Sequence, residues 1–221
     1  MCGRFALTID LTELQAAFPW IDIGSVYKPR FNIAPSQEIL VFPNIPNGKA
    51  GWFRWGLIPS WANDQKIGYK MINARAETVA EKPSFRNAFK KQRCLIPADG
   101  FYEWRKERDE KTPYCIRMKN GRPFAFAGLW EQWVSETETV FSCTIITTAA
   151  NDALKPIHHR MPVILNRDDY ETWLDPENRD NKNLNQLLIP YNAEEMITFP
   201  ISRQINNPRN EGPGTVIRNT N

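Results

Sequence analysis

The sequence predicts an α+β fold, with a curved, mostly antiparallel sheet or open β-barrel as its core and short peripheral helices. Three observations predict it: ten short apolar runs rich in β-branched and aromatic residues, turn signals between many of them, and few segments with helical periodicity. The expected strands are 3–7, 38–42, 51–55, 93–97, 100–105, 113–118, 123–129, 139–147, 161–165 and 196–201. Turns at 45–48 (IPNG) and 119–122 (KNGR) punctuate them, and Asn120-Gly121 favours a tight hairpin. Asp10 with Glu13 gives a capping-box-like start for a helix over 11–18, which Pro19 stops. Further short helices are expected at 83–90, 149–154, 167–174 and 177–188, and an irregular segment over 188–221. With no internal repeat, low-complexity tract or Gly/Ser linker, residues 1–221 are read as one domain, with 209–221 a loose C-terminal tail.

Composition narrows the function. The 221 residues hold 42% apolar and 24% charged side chains, enough to build a core and too apolar for disorder. No apolar run approaches the roughly 18 residues that span a bilayer, and the start MCGRFALTID lacks the pattern of a secretory signal. Four widely spaced cysteines, with no CxxC and only two histidines, argue against a zinc finger or disulfide scaffold and for a reducing cytosol. Neither a metal nor a cofactor is expected. Net charge is only +3, yet residues 82–122 hold twelve Lys/Arg against five acids, and 168–195 eight acids against two bases. Such polarity suits a polyanion steered to one face, and is also what an ordinary solvated surface can show.

Cys2 is the most informative position. Methionine aminopeptidase removes Met1 when the next residue is small, so the mature chain is expected to begin with an α-amine and a thiol on one residue. Their ordinary pKa values are about 8 and about 8.5. Such an aminothiol condenses with an aldehyde to an imine, and the sulfur then closes onto the imine carbon to give a thiazolidine. Ring closure is intramolecular, with an effective molarity on the order of 10⁵ M when well oriented. A small buried cysteine near the terminus is the plainer reading of the same residue.

Seven motifs in order then carry a resemblance: MCGRF at the start, PRFNIAPSQ (29–37), WGLIPSW (55–61), INARAET (72–78), CLIPADGFYEW (94–104), TTAAND (147–152) and IHHRMPVIL (157–165). Together they resemble the SRAP family of SOS-response-associated peptidases or abasic-site-processing proteins, from residue 1 to about 208. The resemblance implies covalent capture of abasic sites in single-stranded DNA by the N-terminal cysteine, shielding the lesion during replication or the SOS response. An abasic deoxyribose opens to a C1′ aldehyde, the electrophile an aminothiol traps.

The same resemblance assigns the site. Cys2 is the nucleophile, Asn73 the family's asparagine, Glu103 its glutamate and His158 its histidine. Glu103, between Tyr102 and Trp104, is expected to have a pKa raised by desolvation and to pass protons during ring opening and imine formation. Asn73 suits a position holding the Cys2 amine or the sugar hydroxyl. His158 is assigned the proton for the sugar oxygen; its neighbour His159 is expected to point the other way.

DNA is to be held by Arg4, Arg75 and Arg160 on phosphates, by Thr147 near the lesion, and by Trp61, Trp104 and the loop from Asn32 to Pro35 stacking on or wedging between bases. Trp52, Trp55, Trp130, Trp133 and Trp173 remain core or surface aromatics. Expected partners are abasic single-stranded DNA and replication-fork proteins, for a cytoplasmic monomer, nucleoid-associated if bacterial, with no membrane contact. Strand-cleaving lyase and autoproteolytic peptidase activities belong to the same expectation. Two departures stand out: Met161 follows Arg160 where some members carry a second arginine, and 209–221 matches nothing in the family. The rival readings are an N-terminal-nucleophile cysteine amidohydrolase or peptidase, and a non-catalytic reader of modified cytosine in DNA.

Overall fold

In a computed structural model, which describes residues 2–45, 48–107 and 110–216, thirteen strands form two sheets. One sheet closes on itself. β3 (Glu38–Pro43) and β4 (Gly51–Trp55) pair antiparallel, as do β3 and β6 (Arg93–Ala98), then β6 and β9 (Phe124–Val134). β10 (Thr139–Ala149) then pairs antiparallel with β9 and parallel with β4, completing a five-strand barrel. The expected α+β fold with a mostly antiparallel barrel core is thus present, and the barrel is closed rather than open. Closure comes from β9 running on past residue 129: its last residues face Thr139 to Cys143 across a hairpin fastened by Ser135 N–H to Glu138 O at 2.9 Å. Gly128 in β9 allows the barrel wall to pack this tightly, because a Cβ there would lie 2.9 Å from Cys94 Sγ.

The second sheet has the order β13 (Met196–Pro200), β8 (Glu110–Met118), β7 (Gly100–Glu107), β1 (Phe5–Leu7) and β2 (Arg30–Ile33). Only Asp99 separates β6 from β7, so the chain passes from barrel to sheet in one step, and the Asp99 carboxylate holds Thr8 N–H at 3.0 Å there. Phe5 and Phe101 pack edge-on against Phe126 of the barrel, with ring centroids 5.7 and 6.0 Å away, which seals the two layers together.

Three short strands extend the barrel wall: β5 (Asn73–Arg75), parallel to β10, β11 (Arg160–Pro162), antiparallel to β10, and β12 (Ile164–Leu165), antiparallel to β9. The single strand expected at 161–165 splits at Val163, whose N–H bonds Ile146 of β10 while its carbonyl accepts from Ala127 of β9. α1 (Leu11–Ala17) starts at its Asp10 cap, as the sequence predicts, and α2 (Arg86–Lys91) is shorter than expected.

α3 (Tyr170–Leu174), preceded by a 3₁₀ turn at Arg167–Asp169, covers β6; α4 (Asn181–Gln186) is all that forms of the helix expected at 177–188. Its first turn is lost because the carbonyls of Asp175 and Asn178 accept instead from buried Arg93. The helix expected at 149–154 is a run of turns. Asn151 donates to Tyr191 O at 2.7 Å, and Pro156 cannot continue a helix.

The segment after 188, expected to be irregular, holds β13 and 3₁₀ turns at Ala193–Glu195, Arg203–Asn206 and Pro213–Val216. Within the expected tail, Glu211 pairs with Arg30 at 3.0 Å and Thr215 is buried; 217–221 lie outside the described residues, as do Met1 and the Pro46-Asn47 centre of the first expected turn. No helix among the described residues is long and apolar enough to cross a membrane.

Candidate active site

Cys2 lies just before β1 and is fully buried, its Sγ 4.0 Å from Arg4 O. Burial raises its thiol pKa far above the ordinary value, and the negative charge of Glu103 adds to the effect. Its carbonyl accepts from Asn73 Nδ2 at 2.9 Å. Asn73 reaches it because β5 lies parallel to β10 with Asn73 opposite Ile145. The Asn73 Oδ1 is buried and has no hydrogen-bond partner among the described residues, leaving one acceptor beside the Cys2 backbone.

Glu103 stands on β7 opposite Tyr114 and is 3% exposed. Burial pushes its carboxyl up to about 7, with the charge of His159 among the influences that oppose the rise. The desolvation has a different source from the one the sequence suggests. Tyr102 and Trp104 alternate to the other face of β7, where they pack with Ala6, Ile201 and Ile205, whereas Phe101 and Glu103 share the face toward the main core.

His158 and His159 follow the turns after Asn151 and precede β11. They do not point in opposite directions. Their rings stack with centroids 4.4 Å apart and planes 27° apart, because they sit in a bend rather than on a strand. His158 Nδ1 lies 3.0 Å from Arg160 N and 3.1 Å from Arg160 O. It therefore accepts from the amide when neutral and donates to the carbonyl when protonated. Burial lowers the His158 pKa, whereas the nearby charge of His158 is the largest cause of a lowered pKa at exposed His159.

The remaining predicted residues separate into exposed and committed groups. Arg75, on β5 opposite Thr147, is exposed, and so is Trp61, at 57%. Trp61 rides on the 56–72 excursion between β4 and β5, whose ends meet at two glycines: a Cβ on Gly56 (φ +133°) would lie 2.6 Å from Gly68 O. Pro35 is half-buried beside Ser36, which adopts φ 71°.

Arg160 is 9% exposed, grips the Glu77 carboxylate through Nη1 and through Nη2 at 3.0 Å, and donates from Nη2 to Thr147 O at 2.6 Å. Thr147 is buried and donates to Ala74 O at 3.3 Å. Arg4 donates at 2.7 Å to both Asn32 Oδ1 and Ile205 O and lies over the Trp104 ring, which itself donates to Asn206 Oδ1 at 2.7 Å. Asn32 is fully buried; its amide reaches the carbonyls of Asn207 and Asn210 at 3.0 and 2.8 Å. In this structure Arg4, Asn32 and Trp104 thus fasten the 203–210 segment beneath the sheet.

The sequence reading missed Glu77, although it lies inside the INARAET motif two residues beyond Arg75. It also missed the stacking role of His159, which only the bend creates.

The site thus centres on a buried cysteine at the head of β1, held by Asn73 and under the charge of the buried Glu103 carboxyl. The chain is a member of the SOS response associated peptidase (SRAP) family, whose model matches residues 1–208. It is 48% identical to the abasic site processing protein YoqW of Bacillus subtilis over 96% of this chain and 97% of that one. It is 33% identical to the abasic site processing protein HMCES of Xenopus tropicalis over 96% and 77%. A crystal structure of a Bacteroides thetaiotaomicron protein superposes with a TM-score of 0.84 at 28% identity, covering 98% of this chain and all of that one.

Proposed function

We propose that this chain captures abasic sites in single-stranded DNA as a thiazolidine between Cys2 and C1′ of the opened sugar, shielding the lesion during replication or the SOS response. The observation that carries the reading is the bond from Asn73 to the Cys2 carbonyl beside a buried Glu103 carboxyl whose pKa is about 7. Removal of Met1, by an aminopeptidase or by the chain itself, makes the α-amine. It must also precede the reaction, because until then the Cys2 nitrogen is an amide and cannot form an imine.

The chemistry proceeds in balanced steps. As the sugar opens, the C1′–O4′ bond breaks, His158 gives a proton to O4′, and the C1′ hydroxyl gives its proton to solvent water, leaving the aldehyde. The thiol is held neutral by burial and by Glu103, so the amine leads. Glu103 takes a proton from the Cys2 ammonium, and the amine adds to C1′. Glu103 then returns the proton to the hydroxyl, which leaves as water and yields the imine. Sulfur adds to the imine carbon as its proton passes to nitrogen. The net reaction is aminothiol plus aldehyde to thiazolidine and one water.

Arg75 and Trp61 are the exposed groups available for phosphate and base, while Arg160 and Thr147 shape the floor beneath them. The reading includes a cytoplasmic, nucleoid-associated monomer that meets replication-fork proteins and uses no cofactor. Intact mass spectrometry tests it. Processed wild type should gain the mass of an abasic single-stranded oligonucleotide less one water, with no gain on undamaged DNA. Cys2→Ala and a chain blocked at its N-terminus should give no heat-stable adduct. An equally stable adduct from Cys2→Ala would sink the reading, and salt-resistant binding to intact modified-cytosine DNA by that variant would favour the reader alternative.

A further inference from the structure

We propose that Trp133 and Ser142, on the adjacent barrel strands β9 and β10, are positioning residues for Trp61: they pin the backbone on either side of its turn and hold the exposed indole ready to stack on a base of single-stranded DNA. The inference rests on the proposed function and extends it to two residues that lie in none of the seven motifs.

Trp61 stands at the third position of a four-residue turn, 59–62, closed by Ala62 N–H to Pro59 O at 2.9 Å. Before the turn, Ile58 N–H donates to the Ser142 hydroxyl at 2.8 Å. After it, the Trp133 indole Nε1–H donates to Ala62 O at 2.7 Å. Between the two, the Ser60 side chain bonds the Glu131 carboxyl. Glu131 pairs with Ser142 and Trp133 with Val140, so alternation sets all these partners on one face of the β9–β10 pair.

Apolar packing works to the same end. Ile58 and Ala62 are buried with Trp133 in a small core of their own, against which Ile67 and Val140 pack. Trp61 itself is 57% exposed. The fold therefore spends two buried side-chain hydrogen bonds and a satellite core on a turn whose largest side chain faces outward. An indole on a backbone already fixed loses little freedom on meeting a base, which is what a stacking platform requires.

The test uses an undamaged single-stranded oligonucleotide, so that affinity is read without crosslinking. Trp61→Ala should weaken binding about 10-fold, the loss of one stacked base. Trp133→Phe keeps a ring and loses the donor, and should weaken binding roughly 3-fold. Ser142→Ala cuts the other pin with the same expectation, so the test survives if Trp133→Phe fails to fold. Neither change should weaken binding further once Trp61 is already alanine, because both act through it. Fluorine NMR of protein carrying 5-fluorotryptophan supplies a readout without DNA. The Trp61 resonance, identified by its loss in Trp61→Phe, should shift and narrow in either pin variant as the turn loosens.

Wild-type affinity in both pin variants would overturn the inference, as would losses that multiply in the double variants or a Trp61 resonance that does not move. Binding by Trp61→Ala as tight as that of wild type would overturn it too. If wild type instead forms no adduct with an abasic oligonucleotide, the proposed capture fails. Binding to undamaged DNA and the fluorine spectra do not depend on that reaction, so the two failures are told apart.

Discussion

Asn73 and Cys2, 71 residues apart in sequence, meet through a 2.9 Å hydrogen bond from the Asn73 side-chain amide to the Cys2 carbonyl. The donor is delivered by a three-residue strand that survives only because it lies along β10, and the acceptor belongs to the residue whose nitrogen and sulfur react. Asn73→Ala removes the donor. It should slow crosslinking on the order of 10- to 100-fold by letting the nucleophile drift, and should destabilise the fold by only about 1 kcal/mol. Asn73→Asp should be no better, because a carboxylate beside a carbonyl cannot donate. Single-turnover rates and urea melts on the same samples check this; a wild-type rate in Asn73→Ala would show that the bond has no part in placing Cys2.

Arg75 and Arg160 look alike in sequence and differ in the fold. Arg75 is exposed, so Arg75→Ala should leave the melting temperature unchanged and reduce the salt dependence of binding to single-stranded DNA by about 0.7 in slope for the phosphate lost. Arg160 is nearly buried between Glu77 and the Thr147 carbonyl. Arg160→Ala should therefore destabilise by about 2 kcal/mol, because the nearly buried guanidinium and its charged bonds to Glu77 and to the Thr147 carbonyl are lost while that carbonyl keeps only the Ala76 N–H. Fluorescence anisotropy over a salt series, with thermal melts alongside, separates the two. The distinction fails if the variants lose equal stability.

Asn32 ties the C-terminal segment to the sheet. Its amide donates to Asn207 O at 3.0 Å and Asn210 O at 2.8 Å, and its oxygen accepts from Arg4 at 2.7 Å. Asn32→Ala should cost about 3 kcal/mol, the loss expected when a fully buried network is broken. Cleavage should appear first between 203 and 216 under limited proteolysis. Cleavage elsewhere, with that segment intact, would contradict the role given to Asn32.

What could be read in the chain follows from which forces are local. Strand β4 was legible to the residue, and α1 to its cap, because alternation and capping act within a few residues. β2 and β5 were not legible. They are four and three residues long, and their hydrogen bonds come entirely from partners far along the chain. Cys2, Asn73, Glu103 and His158 were named from motifs, yet nothing local indicates that Trp104 faces away from Glu103's partners or that Asn32 is buried under 203–210. Alternation predicts the first once β7 is known; the second depends on a segment some 170 residues later.

Glu131 offers a test of burial energetics away from the chemistry. It lies on β9 opposite Ser142, is 6% exposed, and is pushed from an ordinary 4.5 to about 7, chiefly by burial, against the hydrogen bond of the Ser60 side chain. A carboxyl with a raised folded-state pKa binds its proton more tightly folded than unfolded. Its stabilisation is therefore complete below about pH 4.5, falls as pH rises, and is gone above about pH 7. The span corresponds to on the order of 3 kcal/mol. Glu103 acts in the same direction, so wild type should lose stability from pH 5 to pH 8 through both groups. Glu131→Gln keeps the shape and the contact with Ser60 without an ionisable group. It should unfold at a higher urea concentration than wild type at pH 8, match it near pH 5, and retain the shallower decline that Glu103 contributes. Parallel curves for the two proteins from pH 5 to pH 8 would mean that Glu131 ionises in the folded chain as easily as in water.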